Sequence, residues 1–220
     1  MSPAIELEHL SRRYGRQYIF SDVNLIVSPA KTIVLKGNNG AGKTTFLKVL
    51  STRLRPTSGS AKVFGFDIKK EASEVRKQTA YLSVLGGNYQ NLTALENLKF
   101  ALKLSKVEFS KEQLLDRLEH VGLIDAKNKM VREFSSGMKK RLSIAKLISV
   151  DAKLWLLDEP FAALDSEGKN LVDDLIIRAK KEQRTVIIAS HDVERSSQFA
   201  DTVLSIEDGS LKLEKSLNNG

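Results

Sequence analysis

Residues 4–10 alternate, with Ile5 and Leu7 apolar and Glu6 and Glu8 polar, which is the period-two pattern of a half-buried strand. Residues 23–27 form a second such stretch, and Pro29 closes it because proline cannot donate to a ladder. Tyr14, Gly15 and Arg16 make a turn between the two. A short continuous apolar run at 32–36 is followed by a helical stretch at 45–50, and a turn around Pro56 and Gly59 leads to a strand at 61–65. From residue 85 to 148 the period becomes helical. Leu95, Leu98 and Leu102 recur at three- and four-residue spacing, and Leu114, Leu115, Leu118 and Val121 repeat the pattern. Ser110 with Gln113 predicts a capping-box start, and Gly122 a stop. The last third returns to α/β alternation. Apolar runs at 154–157 and 185–189 enclose a helical pattern (Leu171, Leu175, Ile176, Ala179), which reads as a crossover between parallel strands. Runs at 202–206 and 211–213 flank Asp208 and Gly209, a hairpin signal, and 218–220 are expected to fray. The fold class is therefore α/β: a mixed, β-rich N-terminal part, a parallel-sheet core and an inserted helical subdomain. One domain is expected over 1–220, its core from 1–84 and 150–220 and its helical subdomain from 85–149.

Composition narrows this picture only a little. At 41% hydrophobic and 28% charged residues, 220 residues make a globular protein with a proper core. The first residues lack the basic start and apolar core of a signal peptide, and no apolar run approaches the roughly 20 residues that cross a bilayer. The absence of cysteine excludes disulfides and thiolate metal sites and fits the cytoplasm. A net charge of +8 suits an anionic partner, but the cations are scattered among carboxylates, so a generic solvated surface is expected and no nucleic acid.

Candidate chemistry changes the picture more. The apolar run at 32–36 ends in Gly37-Asn38-Asn39-Gly40-Ala41-Gly42-Lys43-Thr44-Thr45, and a helix follows. Strand, glycine-rich turn, Lys-Thr and helix together are what the phosphate-loop motif requires. Its glycines let backbone N–H groups point at phosphate oxygens, and the helix adds unpaired N–H groups and its positive dipole end. Lys43 would reach the β- and γ-phosphates, and the Thr44 hydroxyl would ligate Mg²⁺. The run at 154–157 ends in Asp158 and Glu159, where parallel strands present groups to ligands; Asp158 can hold Mg²⁺ and Glu159 can polarise water. The run at 185–189 ends in Ser190-His191-Asp192, which places His191 for a γ-phosphate contact. In Phe134-Ser135-Ser136-Gly137-Met138-Lys139-Lys140-Arg141, either serine could cap a helix. The cations after it oppose the helix dipole, a conflict that hints at a nearby anion.

In this order the motifs resemble those of the nucleotide-binding subunit of ATP-binding cassette (ABC) transporters, across most of the chain. Residues 37–45 match Walker A, 154–159 match Walker B with its catalytic glutamate, and Ala163-Leu164-Asp165 looks like the D-loop. His191 resembles the switch histidine, and 134–138 fall where the signature belongs. Tyr14, a turn aromatic by sequence alone, falls where the family places an aromatic beneath adenine. The resemblance implies a P-loop NTPase fold, ATP and Mg²⁺, and ATP hydrolysis coupled to transport. It also implies a head-to-tail dimer with a second ATPase subunit, a homodimer in the simplest case. There Ser135 and Gly137 of one subunit meet the γ-phosphate held by the other's Lys43, and that phosphate supplies the signature helix with its anion. A separate transmembrane permease, with this subunit at the cytoplasmic face of the cell membrane, completes the assembly.

Three positions depart from the family pattern. Val84 stands where the Q-loop glutamine is expected, which predicts slow or partner-dependent hydrolysis; Gln90 is the next glutamine downstream, and only a rearranged loop would bring it in. Ser136 replaces the first signature glycine, and Met138 the terminal glutamine. An active ATPase is still expected, because Ser135, Gly137, Glu159 and His191 remain. Residues 93–98 and 159–165 resemble bacterial multidrug-type exporter subunits and also the haem exporter subunit of c-type cytochrome maturation. A non-transport ABC ATPase and a non-hydrolytic ATP sensor are the competing readings.

Overall fold

The computed structural model describes residues 2–83 and 86–216. Val84 and Leu85, and the expected frayed end at 218–220, lie outside the described residues. In chain order the elements are β1 (Ile5–Tyr14), β2 (Gln17–Val27), β3 (Thr32–Lys36), α1 (Lys43–Leu50), β4 (Ser58–Val63), β5 (Phe66–Asp67), α2 (Ala72–Gln78) and β6 (Thr79–Leu82). There follow α3 (Ala94–Leu104), α4 (Lys111–His120), α5 (Ser136–Ile148), β7 (Leu154–Asp158), α6 (Ser166–Lys181), β8 (Thr185–Ala189), α7 (Val193–Ser197), β9 (Thr202–Glu207) and β10 (Ser210–Ser216). The chain divides into two compact units. The first comprises Met1–Tyr81, Ala152–Pro160 and Leu175–Gly220, and the second Leu82–Asp151 and Phe161–Asp174.

The first unit carries two sheets. One is antiparallel, in the order β2-β1-β4-β5; the other has the order β10-β9-β3-β8-β7-β6. β3 pairs in parallel with both β8 and β9, and β8 pairs in parallel with β7. Every residue of β7 and β8 is buried, which explains why both read as unbroken apolar runs instead of alternating ones. Ile5, Leu35, Phe46, Leu50, Leu156 and Ile187 belong to one core cluster, where Phe20 meets Phe46 edge to face at 5.5 Å. The expected crossover over β7, α6 and β8 and the expected β9–β10 hairpin are both formed. β1 outlasts the expected 4–10 because register shifts near His9, whose φ is +49°, interrupt the alternation without ending the pairing.

The second unit is helical. Leu98, Leu102, Leu114, Leu118, Val121, Ile144 and Leu147 are buried within it. α4 begins with the expected capping box, Ser110 Oγ accepting from Gln113 N and Gln113 Oε1 accepting from Ser110 N. A second box, Thr93 with Glu96, opens α3. Residues 86–93, ahead of α3, form a loop. Asn97, only 1% exposed, pins it: its amide donates to the carbonyls of Tyr89, Leu92 and Thr93 and accepts from Tyr89 N. A buried amide with all these partners holds irregular backbone as firmly as a helical ladder would.

Candidate functional site

Three adjacent strands of the larger sheet, β3, β8 and β7, end at the candidate residues. β3 runs into the glycine loop, β7 into Asp158 and Glu159, and β8 into Ser190 and His191. The parallel pairing aligns their carboxyl ends, so residues far apart in sequence meet at one rim of the first unit.

The loop is closed upon itself. Gly42, at φ +106°, caps α1, and a Cβ there would come within 2.5 Å of Ile19 Cγ2, so glycine is required by conformation and by space. Ala41 N donates to Asn38 O at 3.1 Å. The Lys43 ammonium, 7% exposed, donates to the carbonyls of Gly37 at 2.6 Å and Asn38 at 3.3 Å, bridging the loop from inside. Asn38, Asn39 and Gly40 are exposed; Thr45 is half-buried in the first turn of α1.

Asp158 is 1% exposed, and a carboxylate buried so deeply needs donors. Thr44 Oγ1 donates to its Oδ1 at 2.9 Å, and the Tyr81 hydroxyl donates to its Oδ2 at 2.8 Å. Burial first, then the Asp158 carboxylate, push the Tyr81 phenol above its ordinary range, so it remains a donor at any working pH. The Arg53 guanidinium lies 4.8 Å from the centre of the Tyr81 ring. In the sequence Tyr81 only opens the stretch that leads to Val84 at the Q-loop position; its contact with Asp158, made from a four-residue strand, is what gives it a role. Thr44 and Asp158 offer hard oxygen donors, and no cluster of three or more His, Cys, Asp or Glu side chains suited to a metal exists among the described residues. That donor set fits Mg²⁺ held jointly with phosphate oxygens and does not fit an all-protein cage.

Glu159 has φ +47°, a left-handed conformation that costs a non-glycine residue on the order of 1–3 kcal/mol. Its N–H donates to Ala189 O at 2.8 Å, extending the β7–β8 ladder by one rung before the chain turns. Glu159 Oε2 lies 2.7 Å from His191 Nδ1 and accepts from His191 N at 3.3 Å, so the ends of β7 and β8 are joined through this side chain. His191 remains 66% exposed.

Two clefts flank the loop. One, of ≈ 390 Å³, is lined by Lys36, Gly37, Asn38, Asn39, His191, Val193 and Glu207. The other, of ≈ 510 Å³, runs from Asn38–Ala41 to Tyr18, Ile19 and the β9–β10 turn. Tyr14 does not line either cleft; it stands exposed at the end of β1, with the Arg12 guanidinium 4.5 Å from its ring centre. Tyr18, which the sequence reading passed over, lines the second cleft.

Within the second unit, Ser135 and not Ser136 caps α5, its Oγ accepting from Met138 N at 3.2 Å. A Cβ on Gly137 would meet Ala163 O at 3.1 Å, so the start of α5 lies against the 163–165 turn. Asp165 Oδ1 accepts from Gly168 N at 2.8 Å and from Arg141 Nη2 at 3.2 Å, while Glu167 lies 3.4 Å from the same nitrogen. The cations of the 139–141 run were expected to find their anion on a bound phosphate. Within the same unit Arg141 also meets negative charge on Asp165 and Glu167. The Gly168 N–H first, and the Arg141 guanidinium besides, hold the Asp165 carboxyl below its ordinary range.

The chain is similar to known proteins in sequence and in fold. The chain is 33% identical over 187 residues to the cytochrome c biogenesis ATP-binding export protein CcmA of Histophilus somni, covering 85% of this chain and 86% of that one. It is 35% identical over 212 residues to the bacitracin transport ATP-binding protein BcrA of Enterococcus faecalis, covering 96% of this chain and 68% of the relative. A dimeric, post-hydrolysis ATP-binding cassette bound to ADP and Pi superposes with a TM-score of 0.88 at 23% identity, over 98% of this chain and 100% of that one. The model of the ABC transporter family matches residues 20–162. The chain thus belongs to the ABC transporter family, as one of its ATP-hydrolysing subunits.

Proposed function

We propose that the strand-end cluster of the first unit is the hydrolytic half-site of this ATPase. The observation that carries the reading is the pair of contacts at neighbouring strand ends, Thr44 with Asp158 and Glu159 with His191. The loop 37–45 cradles phosphate oxygens with backbone N–H groups, and Lys43 exchanges its two carbonyl partners for the β- and γ-phosphates. Thr44 and Asp158 hold Mg²⁺, which neutralises charge developing on the phosphates. Glu159 orients the attacking water and accepts its proton. His191 keeps that carboxylate aimed and, being exposed, is free to contact the γ-phosphate. By resemblance to the family Tyr14, exposed at the end of β1 and outside both clefts, is assigned beneath adenine.

Ser135, Gly137 and Asp165 act on the nucleotide of a second copy in a head-to-tail dimer. Ser135 is exposed at a helix N-terminus and can exchange its capping bond for a phosphate oxygen. No helix among the described residues is long and apolar enough to cross a membrane; a separate transmembrane permease supplies that part, with this subunit docked on it at the cytoplasmic face. The exported substrate is haem, for cytochrome c maturation, on the strength of the likeness to CcmA; the comparable likeness to BcrA supports a drug or peptide exporter instead. Glu159→Gln tests the site and the partner together. Turnover should fall roughly 10²- to 10⁴-fold with ATP binding retained, and a small polytopic membrane protein should co-purify from ATP-treated membranes. Normal turnover would remove Glu159 as the base, and recovery of ribosomes with no membrane subunit would favour a non-transport ATPase.

A further inference from the structure

The geometry points to Tyr81 as a positioning residue for the metal-binding carboxylate: its hydroxyl fixes the Asp158 side chain so that the oxygen shared with Thr44 is the one presented to Mg²⁺. The inference rests on the reading that Thr44 and Asp158 hold the metal.

A buried carboxylate can rotate about its last torsion, and that terminal torsion is soft. Here each oxygen has its own hydroxyl donor, on opposite sides: Thr44 at 2.9 Å from Oδ1 and Tyr81 at 2.8 Å from Oδ2. The Thr44 side of the carboxylate therefore faces the phosphate loop, and the Tyr81 side faces the neighbouring strand β6. A hydroxyl that remained in water would do this poorly. Tyr81 is half-buried, and the Arg53 guanidinium packs over its ring, 4.8 Å from the ring centre. Arg53 thus holds the ring, the ring aims the hydroxyl, and the hydroxyl orients the ligand. Groups that orient a metal ligand from behind matter roughly 10- to 100-fold in metal affinity.

The test measures Mn²⁺ binding by electron paramagnetic resonance in the full chain saturated with ADP, for the wild type, Tyr81→Phe, Thr44→Val and Arg53→Met. Tyr81→Phe keeps the ring and removes only the donor. It should weaken Mn²⁺ roughly 10-fold, while ADP affinity without metal stays unchanged; a residue with only a structural role would lower both or neither. Arg53→Met keeps the hydroxyl and removes the cation, so a smaller loss of Mn²⁺ affinity is expected, roughly two- to five-fold. Weakened binding in Thr44→Val with unchanged binding in Tyr81→Phe overturns the role of Tyr81. Unchanged binding in Thr44→Val overturns the metal assignment itself. Folding is read from the fluorescence of Trp155, the chain's single tryptophan, which lies in β7. Should Tyr81→Phe not fold, Arg53→Met decides: unchanged Mn²⁺ affinity there overturns the inference.

Discussion

The two compact units carry their phosphate chemistry in opposite conditions. In the first, two of the charged groups are buried and already engaged: Lys43 is 7% exposed and spans its loop, and Asp158 is 1% exposed between two hydroxyls. In the second, the groups that the family motif selects stand in solvent, and their bonds are local. Ser135 caps its own helix, and Asp165 caps α6 while holding Arg141. A buried, pre-paired site resists reorganisation and pays its desolvation once, at folding. An exposed cap can change partners at small cost. The contrast supports the proposal that binding and chemistry belong to the first unit, with the exposed caps of the second able to respond.

Removing the buried cation should have the largest effect. Lys43→Ala takes away an ammonium that makes charge-assisted bonds, and ATP affinity should fall roughly 10- to 100-fold. Equilibrium titration of a fluorescent ATP analogue measures this. Retained affinity would show that the loop backbone alone binds the phosphates, and the contrast between the units would lose its first term.

Arg141→Met is expected to act later in the cycle. It breaks the link from α5 to the 163–165 turn but touches nothing in the first unit's site. ATP affinity should be unchanged, while turnover at saturating ATP falls several-fold, because Asp165 and Ser135 no longer move as one piece. An equal loss of affinity would mean that the two units do not divide the work. Acid probes the same link. The Asp165 carboxyl is held below its usual value of 3.8, so the stability it contributes is present above that value and is lost as pH falls through its lowered folded value. Thermal melts should show the helical unit loosening in that range in the wild type and less so in Asp165→Asn.

How far the sequence revealed this division depended on how local each signal was. The strand-end stations were legible because an apolar run followed by Gly-Lys-Thr, Asp-Glu or His needs only a few consecutive residues. The Ser110–Gln113 box was legible for the same reason, and Thr93-x-x-Glu96 was readable by the same rule though it was passed over. Tyr81 was not legible. Its meaning lies in a contact with Asp158, 77 positions away, from a strand too short to show a period. Arg141 is legible only in part: the rule that cations disfavour a helix start points to an anion but not to carboxylates that the fold delivers from another segment. The loop before α3 was taken for helix because apolar spacing carries no information about a buried asparagine that accepts and donates to it.

The smallest expected effect is also the cleanest test of what Ser135 is for. Two serines cap helices of the second unit with the same geometry: Ser110 Oγ accepts from Gln113 N at 3.2 Å, and Ser135 Oγ accepts from Met138 N at 3.2 Å. As caps they should be equivalent, and replacing either with alanine should cost about 1 kcal/mol of stability. Ser110→Ala removes besides the cap only a hydrogen bond to the exposed Glu112 side chain and should leave ATP turnover untouched. Ser135→Ala should show the same loss of stability together with a fall in turnover, because its hydroxyl is the one proposed to reach a partner's γ-phosphate. Asparagine separates the two roles: it caps as well as serine but is a larger amide, so Ser135→Asn should recover stability without recovering turnover. If Ser135→Ala and Ser110→Ala match in both stability and turnover, Ser135 is a cap and nothing more, and the exposed end of α5 loses its place in the ATP cycle.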